Sequence, residues 1–193
     1  MMFELDEDQV LINKILEGSR SAFEELMKKY NKKIYGFIYR IVRKEDIASE
    51  LTQDFFIKMF RVLNKYNFEF KFSTWAYRIC YNMVIDYVRK NRMQIDSLDD
   101  TSVSQKQMVE SNNYVKEDGF EFLAKQETNQ MIWQVVDSIP IKYKELILLR
   151  YLQGFKYEEI AEVTDLPVGT VKNRIFKAKE ILKSEIEKNG MLK

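Results

Sequence analysis

The sequence predicts an all-α protein of two small helical domains joined by a flexible acidic linker, the second domain a four-helix unit with a helix-turn-helix. Three observations carry that prediction. Apolar residues recur at three- and four-residue spacing on both sides of the middle, and no stretch alternates in the two-residue rhythm of a strand. Residues 93–125 lose the pattern and are rich in Ser, Asp and Asn, as a mobile linker is. Charge is segregated behind a net value of only +1: residues 13–92 carry 17 Lys and Arg against 9 Asp and Glu, residues 93–127 carry 3 against 8, and residues 128–193 carry 11 against 9. Two basic blocks around an acidic one suggest two nucleic-acid-facing modules, 1–92 and 126–193, with a linker between them.

The first helical pattern spans about residues 7–17, with Val10, Leu11 and Ile15 on one side and a stop near Gly18. Ser21, ahead of Glu24 and Glu25, is placed to cap a second helix. Its inward positions are Phe23, Leu26, Met27, Tyr30, Ile34, Phe37, Ile38 and Ile41. A third helix runs over about 46–65. Its apolar residues Leu51, Phe55, Ile57, Met59, Phe60 and Leu63 cover more than one stripe, which suits a helix inside a bundle or one with a partner on its second face. Glu50, Gln53 and Asp54 fall together on an exposed side.

The aromatic stretch NFEFKFS interrupts the helices, and Ser73 or Thr74 can cap the next one, about 75–92. There Trp75, Tyr77, Arg78, Tyr81, Asn82, Tyr87, Arg89, Lys90 and Arg92 interleave rings with polar and basic groups. Such a face suits single-stranded bases, which stack on the rings while cations hold the phosphates. It equally suits a helix that packs its rings into a core. Cys80 lies in this apolar-rich helix and reads as packing rather than as a redox site.

Past the linker, Ile132, Trp133, Val135, Val136 and Ile139 form a helix ended by Pro140, and 146–152 form another stopped at Gly154. The stretch YEEIAEVTDLPVGTVKNRIFKAKEILK then reads as helix, turn and basic helix. Ile160 and Ala161 face inward, Asp165 tolerates a left-handed turn, and Pro167 can open a helix because its missing N–H is no loss there. Val168, Val171, Ile175, Ala178 and Leu182 bury one face, leaving Lys172, Arg174, Lys177, Lys179 and Lys183 on or beside the other. A second helix of this kind can enter a DNA major groove.

Composition excludes much else. With no histidine and one cysteine, there are no His-ligated zinc sites and no Ser-His-Asp or Cys-His arrangements. No Gly-rich phosphate loop appears among the six glycines, and the carboxylates do not pair convincingly. A binding protein is expected rather than an enzyme, with no catalytic residue, metal or cofactor. No run approaches membrane-spanning length and no secretory signal is evident, so a cytoplasmic protein without membrane insertion is expected.

Three segments together resemble the small, extracytoplasmic-function (ECF) sigma factors of bacterial RNA polymerase, in the sigma-70 family. DIASELTQDFFIKMFRVLNKY resembles their core-binding helix, KFSTWAYRICYNMVIDYVRKNR their promoter-melting segment, and IPIKYKELILLRYLQGFKYEEIAEVTDLPVGTVKNRIFKAKEIL their carboxy-terminal domain. The resemblance implies that Glu50, Gln53 and Asp54, with Phe56 and Phe60, dock on the coiled coil of the polymerase's largest subunit. It implies that Phe68, Lys71, Phe72, Ser73, Thr74, Trp75, Asn82, Asp86 and Arg89 hold the non-template strand of the −10 element, with a base flipped into a pocket. Val168, Gly169, Thr170, Lys172, Asn173, Arg174 and Lys177 would read the −35 element, with Arg174 favoured for a guanine edge. Further implied partners are the flap of the second-largest subunit and a dedicated anti-sigma protein. Where housekeeping relatives carry paired tryptophans for strand opening, this chain has Arg78 and Ile79, which implies stricter dependence on a well-matched promoter.

Two other readings compete. A stand-alone helix-turn-helix regulator would bind duplex DNA by itself, but has little use for the aromatic-basic segment 68–92. A helical adaptor that binds only protein has no use for the basic helix.

Overall fold

The computed structural model describes residues 6–98 and 127–188, and every regular element among them is helical. In the first module α1 (Glu7–Leu16) starts at a reciprocal cap. Asp6 Oδ1 accepts the Gln9 N–H at 2.9 Å, and Gln9 Oε1 accepts the Asp6 N–H at 3.2 Å. Helix α2 (Arg20–Val42) is capped by Ser19, whose hydroxyl accepts the Ala22 N–H at 3.3 Å. The cap is thus two residues ahead of Ser21, because the chain turns at Gly18 (φ 97°) and leaves no room for a longer loop. The helix ends where Arg43 adopts φ 58° and returns its N–H to Tyr39 O.

Helix α3 (Glu45–Val62) finishes in a 3₁₀ turn, Leu63–Lys65, and α4 (Phe72–Leu98) begins before Ser73 and Thr74. It also continues through residues 93–98, expected to be linker, since no Gly or Pro interrupts them. The rest of the expected linker, 99–125, lies outside the described residues.

Burial follows the heptad-like spacing. Leu26, Ile34, Phe37 and Ile38 of α2 meet Phe55 and Met59 of α3 and Phe72, Ala76 and Val84 of α4. Helix α1 is held to α2 by Tyr30, whose hydroxyl donates to Asp8 at 2.6 Å, and by Lys29 on the same carboxylate at 2.7 Å. Cys80 is fully buried, and burial pushes its thiol far up, so it packs and does not react.

The second module has four helices: α5 (Glu127–Ser138), α6 (Ile141–Ile147), α7 (Tyr157–Thr164) and α8 (Val168–Lys188). Helix α6 opens directly after Pro140, earlier than the apolar run alone suggested, and widens into one π turn at Leu148–Leu152. There the Gln153 N–H reaches Leu148 O at 3.1 Å, and Gly154 turns the chain at φ 75°. Asp165 closes α7 at φ 57°, and Pro167 O accepts the first bond of α8, from Val171. Ile160, Val163, Val171, Ile175 and Ala178 form the core of the helix-turn-helix.

The modules also touch. Helix α7 and the turn before it lie along α4. Phe155 stands edge-on to Tyr77 with centroids 5.1 Å apart, and Tyr77 is 2% exposed. The Tyr77 hydroxyl donates to Gln153, and the Tyr81 hydroxyl donates to Glu145 at 3.1 Å. Lys71 pairs with Glu159 at 2.7 Å, and Arg78 lies 3.9 Å from Asp165. On the other flank the Arg40 guanidinium sits 3.6 Å over the Trp133 ring, and Arg43 pairs with Asp137 at 2.7 Å.

Candidate polymerase and nucleic-acid interfaces

Three surfaces gather the residues singled out in the sequence. The first is a groove between α2 and α3, lined by Phe23, Met27, Gln53, Phe56, Ile57 and Phe60. Phe60 is 53% and Ile57 51% exposed, which is unusual for apolar groups so close together. The Phe60 ring meets Phe23 edge-on at 4.9 Å, so it is held in place while one side stays open. Glu50, Gln53 and Asp54 are exposed on the same side of α3. Phe56 departs from expectation. It is 4% exposed, packed at 5.0 Å against Phe55, and supplies the groove's floor rather than a protruding anchor.

The second surface is the loop before α4 and the outer side of that helix. Tyr66 is the hub of an aromatic cluster with Phe68, Phe72 and Trp75, at centroid distances of 5.0, 5.6 and 5.5 Å. Gln9 holds the loop from α1 by donating to Phe68 O at 2.7 Å, and the Tyr66 hydroxyl donates to Phe70 O. This pinning decides which rings face out. Phe72 and Thr74 turn inward and are buried, whereas the resemblance implied that they hold the strand. Phe70, which the sequence reading passed over, is 51% exposed at the loop's tip. It belongs to the F-x-F-x-F run of residues 68–72, in which the turn closed by Phe70 N–H on Asn67 O at 3.2 Å, and not the spacing, decides which ring faces out. Phe68, Ser73 and Trp75 are half-buried, whereas Lys71, Asn82, Asp86 and Arg89 are exposed. Asp86 and Arg89 pair with each other at 2.9 Å. Tyr77 and Tyr81 are withdrawn into the contact between modules, so the packing reading holds for them.

The third surface is α8. Lys172, Asn173 and Lys177 are exposed, as is Gly169 at the amino end, while Val168 and Thr170 are half-buried. Phe176, unremarked in the sequence reading, is 64% exposed. A groove runs beside it, lined by Tyr157, Lys172, Asn173 and Lys179. The Lys179 ammonium lies 5.5 Å from the exposed Tyr151 ring, and Arg150 lies over Tyr157 at 4.9 Å. Arg174 does not stand out among these. It is half-buried, one turn from the core residues Val171 and Ala178, and its charge acts on Glu145 and Tyr81. It thus lies at the border between the inward stripe and the exposed face, less open than the neighbouring lysines.

Comparisons with known proteins converge on one family. Residues 26–93 match the family model described as sigma-70 region 2, and residues 129–182 the one described as sigma-70, region 4. The chain is 33% identical over 183 residues to the ECF RNA polymerase sigma-E factor of Escherichia coli (strain K12), covering 93% of this chain and 94% of that protein. It is 31% identical to the sigma-E factor of Haemophilus influenzae, covering 93% and 95%. Among solved structures, CnrH in complex with the cytosolic domain of CnrY is similar at a TM-score of 0.67 and 18% identity, covering 94% of this chain and 98% of that one. The sigma factor RpoE of Bartonella quintana, in complex with the anti-sigma factor NepR, is similar at 0.65 and 19%, covering 86% and 96%. At those identities the two structures bear on the fold alone.

Proposed function

The chain belongs to the ECF sigma factors of the sigma-70 family and is an RNA polymerase sigma factor for promoter-specific initiation; from that premise we propose how its three surfaces divide the work. The groove of α2 and α3 takes the coiled coil of the polymerase's largest subunit. The observation that carries this reading is the pair of half-exposed apolar residues Ile57 and Phe60 flanked by Glu50, Gln53 and Asp54. A rigid aromatic anchor in an apolar groove with a charged rim is how interface hot spots are built.

The loop 66–71 and the outer side of α4 hold the melted non-template strand. Phe70 and Trp75 supply ring faces, Lys71 and Arg89 phosphate contacts, and Asn82 and Ser73 polar edges. Phe72 and Thr74 act from within by fixing the loop. Helix α8 enters the major groove at the −35 element. The amino end, with Gly169 exposed and Thr170 half-buried, meets phosphate, Lys172, Asn173 and Lys177 make polar contacts, and Phe176 offers the apolar surface that suits a thymine methyl. In this reading the protein performs no covalent chemistry and works beside polymerase in the cytoplasm. The flap of the second-largest subunit and an anti-sigma protein complete the partners of this reading.

The experiment that tests it mixes the protein with core polymerase and fragments of its own genome and maps transcript starts. Discrete starts that vanish with Asp54→Lys, while duplex binding by the same variant persists, are expected. Specific duplex binding by the protein with no transcript at any promoter would return the chain to a stand-alone regulator.

A further inference from the structure

Gln9 uses both ends of its side-chain amide, and only one end serves the helix it belongs to. Its Oε1 accepts the Asp6 N–H at 3.2 Å and completes the cap that starts α1. Glu fills that capping position as well as Gln does, and its charge suits a helix amino terminus better. The other end leaves the helix: Nε2 donates to Phe68 O at 2.7 Å and to the Tyr66 hydroxyl at 3.4 Å. Because the cap takes the oxygen, the nitrogen is the end that faces the loop. Capping therefore does not explain the choice of Gln. A donor to a carbonyl 59 residues away does.

That carbonyl belongs to the loop that carries Phe70. Asn67 shapes the loop locally, its Oδ1 accepting the Glu69 N–H at 3.0 Å and its backbone O accepting the Phe70 N–H at 3.2 Å. Among the described residues, two hydrogen bonds tie this turn to groups outside it: Gln9 to Phe68 O, and the Tyr66 hydroxyl to Phe70 O. Both anchors are themselves fixed. The Tyr66 ring is buried among Phe68, Phe72 and Trp75. Helix α1 is fastened to α2 at the residue before Gln9, where Asp8 takes the Tyr30 hydroxyl and the Lys29 ammonium. With its carbonyl held, Phe68 turns its ring to Tyr66, and Phe70 is left facing out.

We propose that Gln9 is a positioning residue for reading the −10 strand: by fixing the Phe68 carbonyl from α1, it sets where the Phe70 ring stands and so which base the loop accepts. This rests on the reading of the loop and α4 as the strand-holding surface. Stacking alone tolerates any base, since every base has a π-face. Discrimination of a flipped base comes from hydrogen bonds to its edge, and these need the ring and the polar groups at fixed distances. A loop that holds the competent arrangement only part of the time loses apparent affinity by that fraction. Gln9 acts through Phe70, not on the base.

Two substitutions separate the two ends of the amide. Gln9→Glu keeps the length and the oxygen that caps α1, and turns an oxygen instead of a donor toward Phe68 O. Gln9→Lys gives up the capping oxygen and keeps a donor for the loop. Lys14→Gln, at an exposed position of α1, makes the same change in net charge as Gln9→Glu without touching the loop. Each full chain is bound to core polymerase and offered a pool of single-stranded DNA with six randomised positions. The bound fraction is sequenced, with core polymerase alone as background. The readout is a ratio among sequences bound by one protein, so any loss of folded chain cancels from it. Wild type is expected to prefer one base at one position. A neutral hydrogen bond is worth about two- to tenfold in an equilibrium. Gln9→Glu is expected to flatten the preference by about that factor, at that position alone and with the melting temperature kept. Gln9→Lys should melt lower yet keep the preference, and Lys14→Gln should keep it too.

A wild-type preference that survives Gln9→Glu, or that Gln9→Lys loses to the same extent, would make Gln9 a capping residue. Either result overturns the inference and leaves the strand-holding surface intact. Weakening at every position alike, matched by Lys14→Gln, would be an effect of charge and would overturn it as well. A wild-type profile no different from that of core polymerase alone would overturn the reading of the loop and the inference together.

Discussion

Glu145 is 5% exposed where α4, α6 and α8 meet, with the Tyr81 hydroxyl donating to it and the Arg174 charge nearby. Burial pushes its carboxyl up to about 7, against the lowering pull of Tyr81 and Arg174. A carboxyl raised in this way holds its proton more tightly with the modules in contact than with them apart, where α4 no longer shields it from water. Contact is then favoured most fully below the ordinary carboxylate range and loses the contribution as pH rises through about 7. Tyr81, itself pushed up by burial, does not titrate in this window. Scattering from the free chain should show larger dimensions at about pH 8 than at about pH 6, and Glu145→Gln should remove the difference while keeping an acceptor for Tyr81. A pH response that survives Glu145→Gln would place the titrating group elsewhere. Nothing in the sequence marked Glu145. It lies in an apolar run, and only the approach of Tyr81, 64 positions away, gives it a partner.

Helix α3 shows why one element's pattern is legible and its use is not. Its excess of apolar positions signalled two buried or covered faces, yet periodicity cannot say which ring is core and which is offered outward. The structure separates them: Phe55 and Phe56 are buried, and Phe60 is half-open. Phe55→Ala should cost about 3–5 kcal/mol of stability, the range for deleting a buried ring. Phe60→Ala should leave the melting temperature nearly unchanged but weaken core-polymerase binding by about 2 kcal/mol or more, the cost of losing a hot-spot anchor. Equal thermal destabilisation by both would make Phe60 a core residue. The helix-turn-helix was read more completely because its signals are local. Asp165 at a left-handed turn, Pro167 ahead of the first helical bond and the Val171, Ile175, Ala178 stripe are all satisfied within the segment. How far Arg174 is exposed was not legible from the same segment, since a helix surface has no fixed edge between its buried stripe and its exposed one. The alternating rings of 68–72 failed differently: their facing is set by Gln9 on α1 and by Tyr66 at the start of the loop, both outside the run itself.

At the scale of the whole molecule, the two modules and their helical character are legible, and their contact is not. Amphipathic spacing says that a face is covered without saying by what. The nature of the cover nevertheless makes a prediction with a definite sign. Three cross-module ion pairs, Lys71–Glu159, Arg78–Asp165 and Arg43–Asp137, have at least one partner substantially exposed, so salt reaches them. The Debye length falls from about 10 Å at 0.1 M to about 3 Å at 1 M salt, which weakens such pairs. The apolar part of the contact centres on Phe155 against Tyr77, and the Arg40 guanidinium over Trp133 adds a cation–π contact. If the ionic part dominates, the free chain expands as sodium chloride rises. If the apolar part dominates, the dimensions hold constant, and sulfate, which strengthens burial, compacts the chain further. We expect expansion, read as a rising radius of gyration at constant helix content. The same screening weakens phosphate contacts, so promoter binding by the free protein should pass through two opposed effects of salt. Tethering both modules to polymerase removes one of them: with the modules held apart, only the ordinary decline of DNA affinity with salt should remain. A maximum in the salt profile of the free chain, absent from the profile of the holoenzyme, would separate opening of the contact from binding of the DNA.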